Sequence, residues 1–404
     1  MAFALLCIYM ASLSLGYISP FLMQLHSLSL YAFVGVSALS ILLRGRVVLT
    51  GYVKMYMAFA FLALVSCLYS INLSGSFSSI YSILVCFTVC FCATEVVQTE
   101  EHIKTVLAFF SIATFILVIV LVARGDIDLW GDWEYTGRFG NEVAGNSNTF
   151  ATVYMFGASY SVYFIAYSKN KTKKLLYIAA FVAQLLALIV SGGRKYILVT
   201  ALVFWLIFLF KSDKHNRKHY FIGTVIGIGI LILLSWAFMN IPYLYYNIGH
   251  RFEAVFQENL QDVSVIRRGI MIQEGIQGWF EKPIFGHGAD TFKYISVFGV
   301  YSHNNYVELL FNVGIIGALL YYGYSFILTF QLFKSKNTNN IKWILLMLCV
   351  AIFFYDYGAV SYYIVVHQVF LALCSRYLSL KEKSSETAQT ENGRVLVSPA
   401  LGRL

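Results

Sequence analysis

The chain has 404 residues, of which 59% are hydrophobic and 12% are charged, and its mean hydropathy is +0.70. Because a soluble globular domain has about 25% charged residues, this composition excludes a water-soluble protein. The 17% aromatic content and the four prolines exclude a disordered or collagen-like chain. The composition therefore indicates a polytopic membrane protein that is covered mainly by lipid.

The predicted elements are helices, since a membrane-spanning helix needs roughly 20 mostly apolar residues and such segments recur along the chain. Their length and continuous apolar character disfavour a transmembrane β-barrel. We therefore predict an all-α fold with about twelve transmembrane helices and a large extracytoplasmic loop that contains helices. The predicted spans are residues 2–18, 28–43, 53–70, 76–94, 104–123, 148–167, 175–191, 195–211, 220–240, 304–332, 342–357 and 359–379.

Two segments between the predicted spans, residues 124–147 and residues 241–303, are too long and too polar to be simple turns. The second of them contains a predicted amphipathic helix from Ile266 to Trp279 and leads directly into span ten. The predicted organisation is N-terminal membrane helices (1–123), a first outer loop (124–147), central membrane helices (148–240), a large extracytoplasmic catalytic loop (241–303), C-terminal membrane helices (304–383) and a disordered cytoplasmic tail (384–404).

Lysine and arginine are distributed unequally between the two sides that alternating spans define. Twenty of the 29 lie on one side, including clusters at 169–174 and 211–218. By the positive-inside rule this side is cytoplasmic, which places both termini inside and both long loops outside. The net charge of +9 is thereby explained by loops that face anionic headgroups, without nucleic acid as a partner.

Neither the cysteines nor the histidines predict a metal site. All seven cysteines lie in apolar segments, where they act as small hydrophobic residues. His215 and His219 have metal-ligand spacing but lie in a basic loop without carboxylates, so we interpret the spacing as incidental. The N terminus lacks a basic segment and a clear cleavage site, which favours a retained first span over a signal peptide.

The remaining nine cations lie on the outer side, where insertion bias opposes them. For Arg124, Lys282 and Lys293 we expect ion pairs with nearby acids. Arg194 follows two glycines in a predicted helical hairpin at Ser191–Lys195, where a guanidinium can bind two phosphate oxygens. Snorkelling to the headgroups is the alternative interpretation of Arg194. The nine are Arg124, Arg138, Arg194, Lys195, Arg251, Arg267, Arg268, Lys282 and Lys293.

Three further features are candidates for chemistry. Arg268 begins a helical segment that ends at Pro283 and Gly286-His-Gly288, so it is held on a rigid element. His303 begins span ten; its free pKa of about 6.5 suits proton transfer, although an interfacial histidine without a catalytic role would have the same position. The acidic and aromatic segment 126–138 suits either sugar binding or a membrane interface.

Four segments, in this order, resemble motifs of the O-antigen ligase and polymerase superfamily, membrane glycosyltransferases that use polyprenyl-diphosphate-linked glycans. They are Arg138-Phe-Gly140 to Ala151, with Asn146 and Asn148; Leu188 to Arg194; Ser264 to Gly288, with Arg268 in the arginine position; and Ser302-His303-Asn304 to Gly317. The resemblance covers roughly residues 138–330. The chain departs from the family in having Asn-Ser-Asn at 146–148, where the family often has Asn-Pro-Asn.

The resemblance implies a C-type glycosyltransferase-like fold, no metal and no cofactor. It implies that Arg194 and Arg268 bind the donor diphosphate, and that His303 deprotonates the acceptor hydroxyl or else contacts the diphosphate. These three are the candidate catalytic residues. The candidate substrate-binding residues are Arg138, Asn148, Lys195, Arg251, Arg267 and Asn304.

The leading hypothesis is a polymerase that joins lipid-linked repeat units into O-antigen or capsular polysaccharide on the outer face of the bacterial inner membrane. The alternatives are a ligase that transfers glycan to lipid A-core and a transporter or flippase of polysaccharide or lipid. Few ionisable residues lie within spans, Asp356 and His367 being the main exceptions, which favours an enzyme over a transporter. The expected partners are a polyprenyl-diphosphate-linked oligosaccharide and the bilayer, with chain-length regulator and flippase proteins as further candidates.

Overall fold

The structure is a computed structural model that describes residues 1–126, 146–211, 263–335 and 340–395, together with single residues between 225 and 245. Within these ranges the secondary structure is helical and contains no β-strand. The α-helices are α1 (Ala2–Leu15), α2 (Pro20–Arg44), α3 (Gly51–Ser66), α4 (Leu73–Val96), α5 (Glu100–Ala123), α6 (Ser147–Tyr167), α7 (Lys171–Val190), α8 (Arg194–Lys211), α9 (Val263–Glu281), α10 (Phe292–Ile295), α11 (Asn305–Lys334), α12 (Ile341–Asp356) and α13 (Val365–Val395).

Six of the described helices are long and apolar enough to cross a membrane: α2, α3 with its following turn to Tyr69, α4, α5, α7 and α11. Large apolar side chains cover their outer faces; Leu42 is 78% exposed, and Phe61 and Phe326 are each 67% exposed. An apolar surface of this extent is unfavourable in contact with water but compatible with contact with lipid. The predicted class, a helical membrane protein, is confirmed. The predicted number of twelve spans stays a prediction, and the span at 220–240 lies mostly outside the described residues.

Polar residues fix the points where several helices begin. Ser19 Oγ accepts a hydrogen bond from Leu22 N (3.2 Å), and Pro20 occupies the first helical position of α2, where a missing N–H breaks no helical bond. Asn72 and Thr99 cap α4 and α5 in the same way. These caps satisfy N–H groups that would otherwise lack partners at the helix ends.

A buried glutamine joins α5, α6 and α7. Gln184 Nε2 donates to Ser111 O and to Thr114 Oγ1, and Gln184 Oε1 accepts from Ser161 Oγ, each at 2.8 Å. At Gly157 a Cβ atom would lie 2.3 Å from Thr114 Oγ1, so the glycine permits close approach of α5 and α6. Small residues and interhelical hydrogen bonds of this kind stabilise helix pairs in membranes.

The amphipathic helix predicted at Ile266–Trp279 is confirmed as α9, which packs against the first part of α11. Two of its glycines face that helix: a Cβ atom at Gly275 would lie 2.2 Å from Val307, and one at Gly278 would lie 2.3 Å from Phe311. Close packing through these glycines holds α9 in a fixed position relative to the beginning of α11.

Helix α11 is interrupted at Gly314, whose φ of 66° and ψ of −171° are not helical. The segment after α9 lies across this break, because Ile315 N donates to Pro283 O at 2.9 Å. A Cβ atom at position 314 would lie 2.2 Å from Ile284 O, so only glycine fits. Two further backbone bonds join the same segments, His287 N to Phe311 O (2.9 Å) and Gly288 N to Asn312 O (2.8 Å). The broken helix and the loop therefore satisfy each other's backbone groups.

The C-terminal helix differs from the prediction at both ends. It begins at Val365 rather than 359, after a non-helical link at 357–364, and it continues to Val395. We predicted disorder from residue 384, but adding a residue to an existing helix costs much less than starting one, and Glu, Ala and Gln in this segment are good helix formers. The structure describes 384–395 as a continuation of this helix. The disorder of the tail stays a prediction, and 396–404 lie outside the described residues.

Candidate active site

A cavity of about 350 Å³ lies at the end of the helix bundle that carries the predicted outer loops. Its walls come from the C-terminal end of α1, the beginnings of α6 and α8, the segment before α11, the end of α12 and the link to α13. The polar lining residues, apart from tyrosines, are Asn146, Asn148, Thr149, Thr152, Lys195 and His303. Five tyrosines also line the cavity: Tyr17, Tyr196, Tyr301, Tyr355 and Tyr363.

The two asparagines of the first motif lie at the beginning of α6. Asn146 is the helix cap, since its Oδ1 accepts from Asn148 N at 2.8 Å. Its Nδ2 donates to Tyr301 Oη at 3.4 Å, which links α6 to the segment before α11. Asn148 lines the cavity at the first turn of the helix. The absence of a proline at position 147 therefore leaves the helix entry intact, because the side chain of Asn146 supplies the cap.

The predicted hairpin is confirmed, with α7 ending at Val190 and α8 beginning at Arg194. Gly192 has φ +65°, and a Cβ atom at Gly193 would lie 2.5 Å from Tyr196. The two glycines are thus required by the turn and by packing. Arg194 is half-buried at the lip, next to Lys195, which lines the cavity.

Lys195 joins α8 to the link between α12 and α13. Its Nζ donates to Gly358 O and lies 4.7 Å from the centre of the Tyr196 ring and 5.7 Å from that of Tyr355. An ammonium over aromatic rings is stabilised by the ring electrons. Lys195 also lies within electrostatic range of Asp356. The cavity therefore carries a positive charge held by both aromatic and backbone contacts.

His303 lies in the cavity wall with its ring 4.3 Å from that of Tyr301. Its φ of +57° is in the left-handed region, which costs a residue other than glycine about 1–2 kcal/mol. Among the described residues, the only other non-glycine residue with a positive φ is Asp290, at +56°. Such strain persists only where neighbouring contacts enforce it, and it is concentrated at functional sites.

Residues on both sides of His303 hold this conformation. Ser302 N donates to Glu308 Oε2 at 2.7 Å, and Ser302 Oγ donates to Asn304 O at 2.8 Å. Asn304 caps α11, because its Oδ1 accepts from the backbone N of Tyr306 and Val307 at 3.0 and 3.2 Å. The Asn304 side chain is buried in this cap and is absent from the cavity lining, so its geometry suits orientation of His303.

The arginines of α9 have different surroundings. Arg268 is half-buried and lies within electrostatic range of Tyr196 in the cavity wall. Arg267 is exposed, with its guanidinium 5.8 Å from the centre of the Phe298 ring. Among the candidate residues, the structure thus brings Asn148, Lys195 and His303 together in one cavity, with Arg194 and Arg268 near its walls. Arg138 and Arg251 lie outside the described residues.

The outer cations expected to form ion pairs differ from one another. Lys293 pairs with Asp290, as expected for a cation beside an acid. Burial raises the pKa of the Asp290 carboxyl, and the neighbouring ammonium of Lys293 opposes this effect. Arg124 instead donates to the backbone carbonyl of Ile18. Lys282 is exposed.

A buried polar cluster around Asn305, beside the cavity, was not predicted from the sequence. Asn305 Oδ1 accepts from Ser361 N (2.8 Å) and Tyr362 N (3.3 Å), while its Nδ2 donates to Tyr322 Oη (2.6 Å) and Asp356 Oδ2 (3.3 Å). These bonds hold the non-helical link at 357–364, which forms part of the cavity wall. The available signals were the second asparagine of Asn304-Asn305 and the acidic residue at the end of span eleven.

No group of three or more His, Cys, Asp and Glu side chains in the described parts of the chain is arranged to hold a metal ion. The seven cysteines are free and buried, which confirms their predicted role as packing residues. The polar side chains that line the cavity are one lysine, one histidine, two asparagines, two threonines and five tyrosines. Tyrosine rings and hydroxyls suit a sugar, which has both apolar faces and hydroxyl groups. The ammonium of Lys195 suits an anion such as a phosphate.

Comparison with known proteins relates part of the chain to a known family. No protein of curated function matches the chain. Residues 143–322 match the family described as O-antigen ligase. This range contains Asn146, Asn148, Lys195 and His303 of the cavity, and it includes α9. The resemblance of this region to the O-antigen ligase and polymerase superfamily, predicted from the four motifs, is thereby confirmed.

Proposed function

We propose that this chain is a membrane glycosyltransferase that polymerises polyprenyl-diphosphate-linked oligosaccharide repeat units into O-antigen or capsular polysaccharide. The proposal places the reaction on the outer face of the bacterial inner membrane, within a C-type glycosyltransferase-like bundle of about twelve spans. One observation carries it: Asn148 and His303, from two separate motifs, and Lys195, which directly follows a third motif, line one cavity at the helix ends. The family match over residues 143–322 supports the same class of enzyme.

In the proposed reaction, the oxygen of an acceptor sugar hydroxyl attacks the anomeric carbon of the donor glycan. The bond between that carbon and the phosphate oxygen breaks, and polyprenyl diphosphate leaves. Arg268 and Arg194 stabilise the negative charge that develops on the diphosphate, since preorganised charges of this kind lower the barrier most where charge appears. His303 accepts the proton of the hydroxyl.

The positions of the charges suit this division of roles. Arg268 is carried by α9, which is packed on α11 through Gly275 and Gly278, so its distance from His303 is fixed by rigid elements. Holding a donor and an acceptor at such fixed points is itself a large part of catalysis. Lys195, between α8 and the 357–364 link, supplies a further cation in the same cavity.

A ligase that transfers finished glycan to lipid A-core is the second candidate, and the description of the matched family favours it. Both reactions need the same donor diphosphate and the same activated hydroxyl, so they differ only in the acceptor. The transporter alternative instead predicts movement of a lipid-linked glycan across the membrane without a change in its length.

The test uses the full chain in proteoliposomes with a lipid-linked repeat unit as sole substrate. A polymerase produces a ladder of longer glycans on polyprenyl diphosphate. A product that forms only after lipid A-core is added supports the ligase, and transfer across the vesicle membrane without a longer product supports a transporter.

Variants then test the assigned roles. We expect Arg268→Ala and His303→Ala each to lower the transfer rate by about 100-fold or more. Lys282→Ala, which removes an exposed outer cation, is the matched control and should leave the rate unchanged. A normal ladder from either active-site variant would remove that residue from the mechanism.

A further inference from the structure

Glu308 is a buried acid that the proposed mechanism does not use. It lies in the first turns of α11 and is 1% exposed. Its Oε2 accepts from Ser302 N at 2.7 Å, and its Oε1 accepts from Asn312 Nδ2 at 3.2 Å. The carboxylate therefore joins the residue before His303 to a second buried side chain one turn further along the helix.

Asn312 extends this connection to the segment that follows α9. It is 1% exposed, and its Oδ1 accepts from Thr291 N and Phe292 N, each at 3.0 Å. Those two N–H groups directly follow Asp290. The chain of hydrogen bonds thus runs from the residue before His303, through Glu308 and Asn312, to the residues after Asp290.

The ends of this chain coincide with backbone strain. His303 and Asp290 are the non-glycine residues with left-handed backbone in the part of the chain that the structure describes. Backbone in this region needs external contacts to be maintained. A single pair of side chains supplies such contacts beside both residues, although the two are separated along the chain and only His303 lines the cavity.

We propose that Glu308 and Asn312 are positioning residues for glycosyl transfer, which fix the backbone of His303 and couple it to the loop that follows α9. This inference rests on the proposed function and deepens it. Helix α9 carries Arg268, and its following loop is also bonded to α11 through the backbone of 287–288. The pair therefore links the position of the proton acceptor to the element that carries the diphosphate-binding arginine.

The directions of the hydrogen bonds provide a sharp test. In Glu308→Gln the new amide can accept from Ser302 N with its oxygen, but its nitrogen then faces the nitrogen of Asn312, so two donors meet. Asn312 cannot rotate to relieve this, since its oxygen already accepts from Thr291 and Phe292. In Glu308→Gln with Asn312→Asp, the amide donates to the new carboxylate and every partner is satisfied again.

The experiment measures kcat and KM for extension of the lipid-linked repeat unit in proteoliposomes, per mole of folded protein. We expect Glu308→Gln to lower kcat by about 10- to 100-fold with little change in KM, because a small misplacement of a catalytic group has an effect of this size. The double variant should recover most of the lost kcat. Loss of folded yield with normal kcat in the folded fraction would overturn the inference, as would a double variant no faster than the single one.

The matched control is Glu274→Gln. Glu274 is also an acid that accepts from the outer loop, from Ser296 Oγ (2.8 Å) and Val297 N (3.3 Å), but it has no bond to the residues that flank His303. Its substitution should leave kcat unchanged, and a loss equal to that of Glu308→Gln would contradict the assignment. If the unmodified chain gives neither polymerised nor ligated product, the proposed function fails; if it is active and Glu308→Gln is equally active, only the positioning role fails.

Discussion

Replacing Gly314 by alanine should separate the Pro283–Gly288 loop from α11. The new Cβ atom would lie 2.2 Å from Ile284 O, far inside the contact distance, and φ of +66° is unfavourable for alanine by about 1–2 kcal/mol. Relief of the contact requires the loop to move, which breaks the bonds from Ile315 N to Pro283 O and from Ile316 N to Ile284 O. Each is worth about 0.5–1.5 kcal/mol. We therefore expect a loss of about 2–5 kcal/mol in the free energy of unfolding.

The same helix offers a matched control at Gly323. No atom lies within 4 Å of a Cβ built there, and its backbone is helical. Gly323→Ala should be neutral or stabilising by up to about 1 kcal/mol, because alanine is the better helix former. The pair thus compares one chemical change in two backbone conformations.

Thermal unfolding of the detergent-solubilised protein is measured as the loss of monodisperse protein on size-exclusion chromatography after heating. The ladder assay in proteoliposomes measures activity. Gly314→Ala should lower the Tm by several degrees and reduce glycan extension, whereas Gly323→Ala should change neither adversely. Equal Tm values for the two variants would refute the view that the break at Gly314 is required for docking of the loop.

Two further predictions concern buried polar contacts. Lys195→Gln removes the ammonium that binds Gly358 O and lies over two tyrosine rings, so the transfer rate should fall about tenfold or more. Lys282→Gln, at an exposed position, should have no effect on this rate. Equal rates for the two variants would contradict the role of Lys195. Gln184→Ala removes three buried hydrogen bonds between helices and should lower stability by about 1–3 kcal/mol in thermal unfolding, whereas Gln331→Ala, at an exposed position of α11, should have little effect on the Tm.

Local patterns in the sequence predicted much of the fold. Apolar length gave the helices, and the spacing of apolar residues with the terminal Pro283 predicted α9 to within a few residues. The glycine pair at 192–193 predicted the hairpin. In the structure, Gly192 has a positive φ in the turn, and Gly193 packs against the Tyr196 side chain. These features depend on neighbours in the chain, which a single sequence displays directly.

The features that were missed depend on contacts between distant segments. The break at Gly314 occurs because the Pro283–Gly288 loop needs partners, and nothing near position 314 indicates that loop. Asn305 bonds to Asp356 across two helices, and no local pattern relates the two residues. The cavity itself is lined from Leu13 to Val366, so its shape follows from the packing of the whole bundle.

The interruption of α11 also has a consequence for biogenesis. The 283–288 segment leaves the ribosome before the residues at 311–316 that complete its backbone bonds. Until α11 is inserted, those N–H and C=O groups must find other partners, such as water at the membrane surface. Truncation of the chain before residue 311 should therefore leave this loop sensitive to added protease, and extension past residue 334 should protect it.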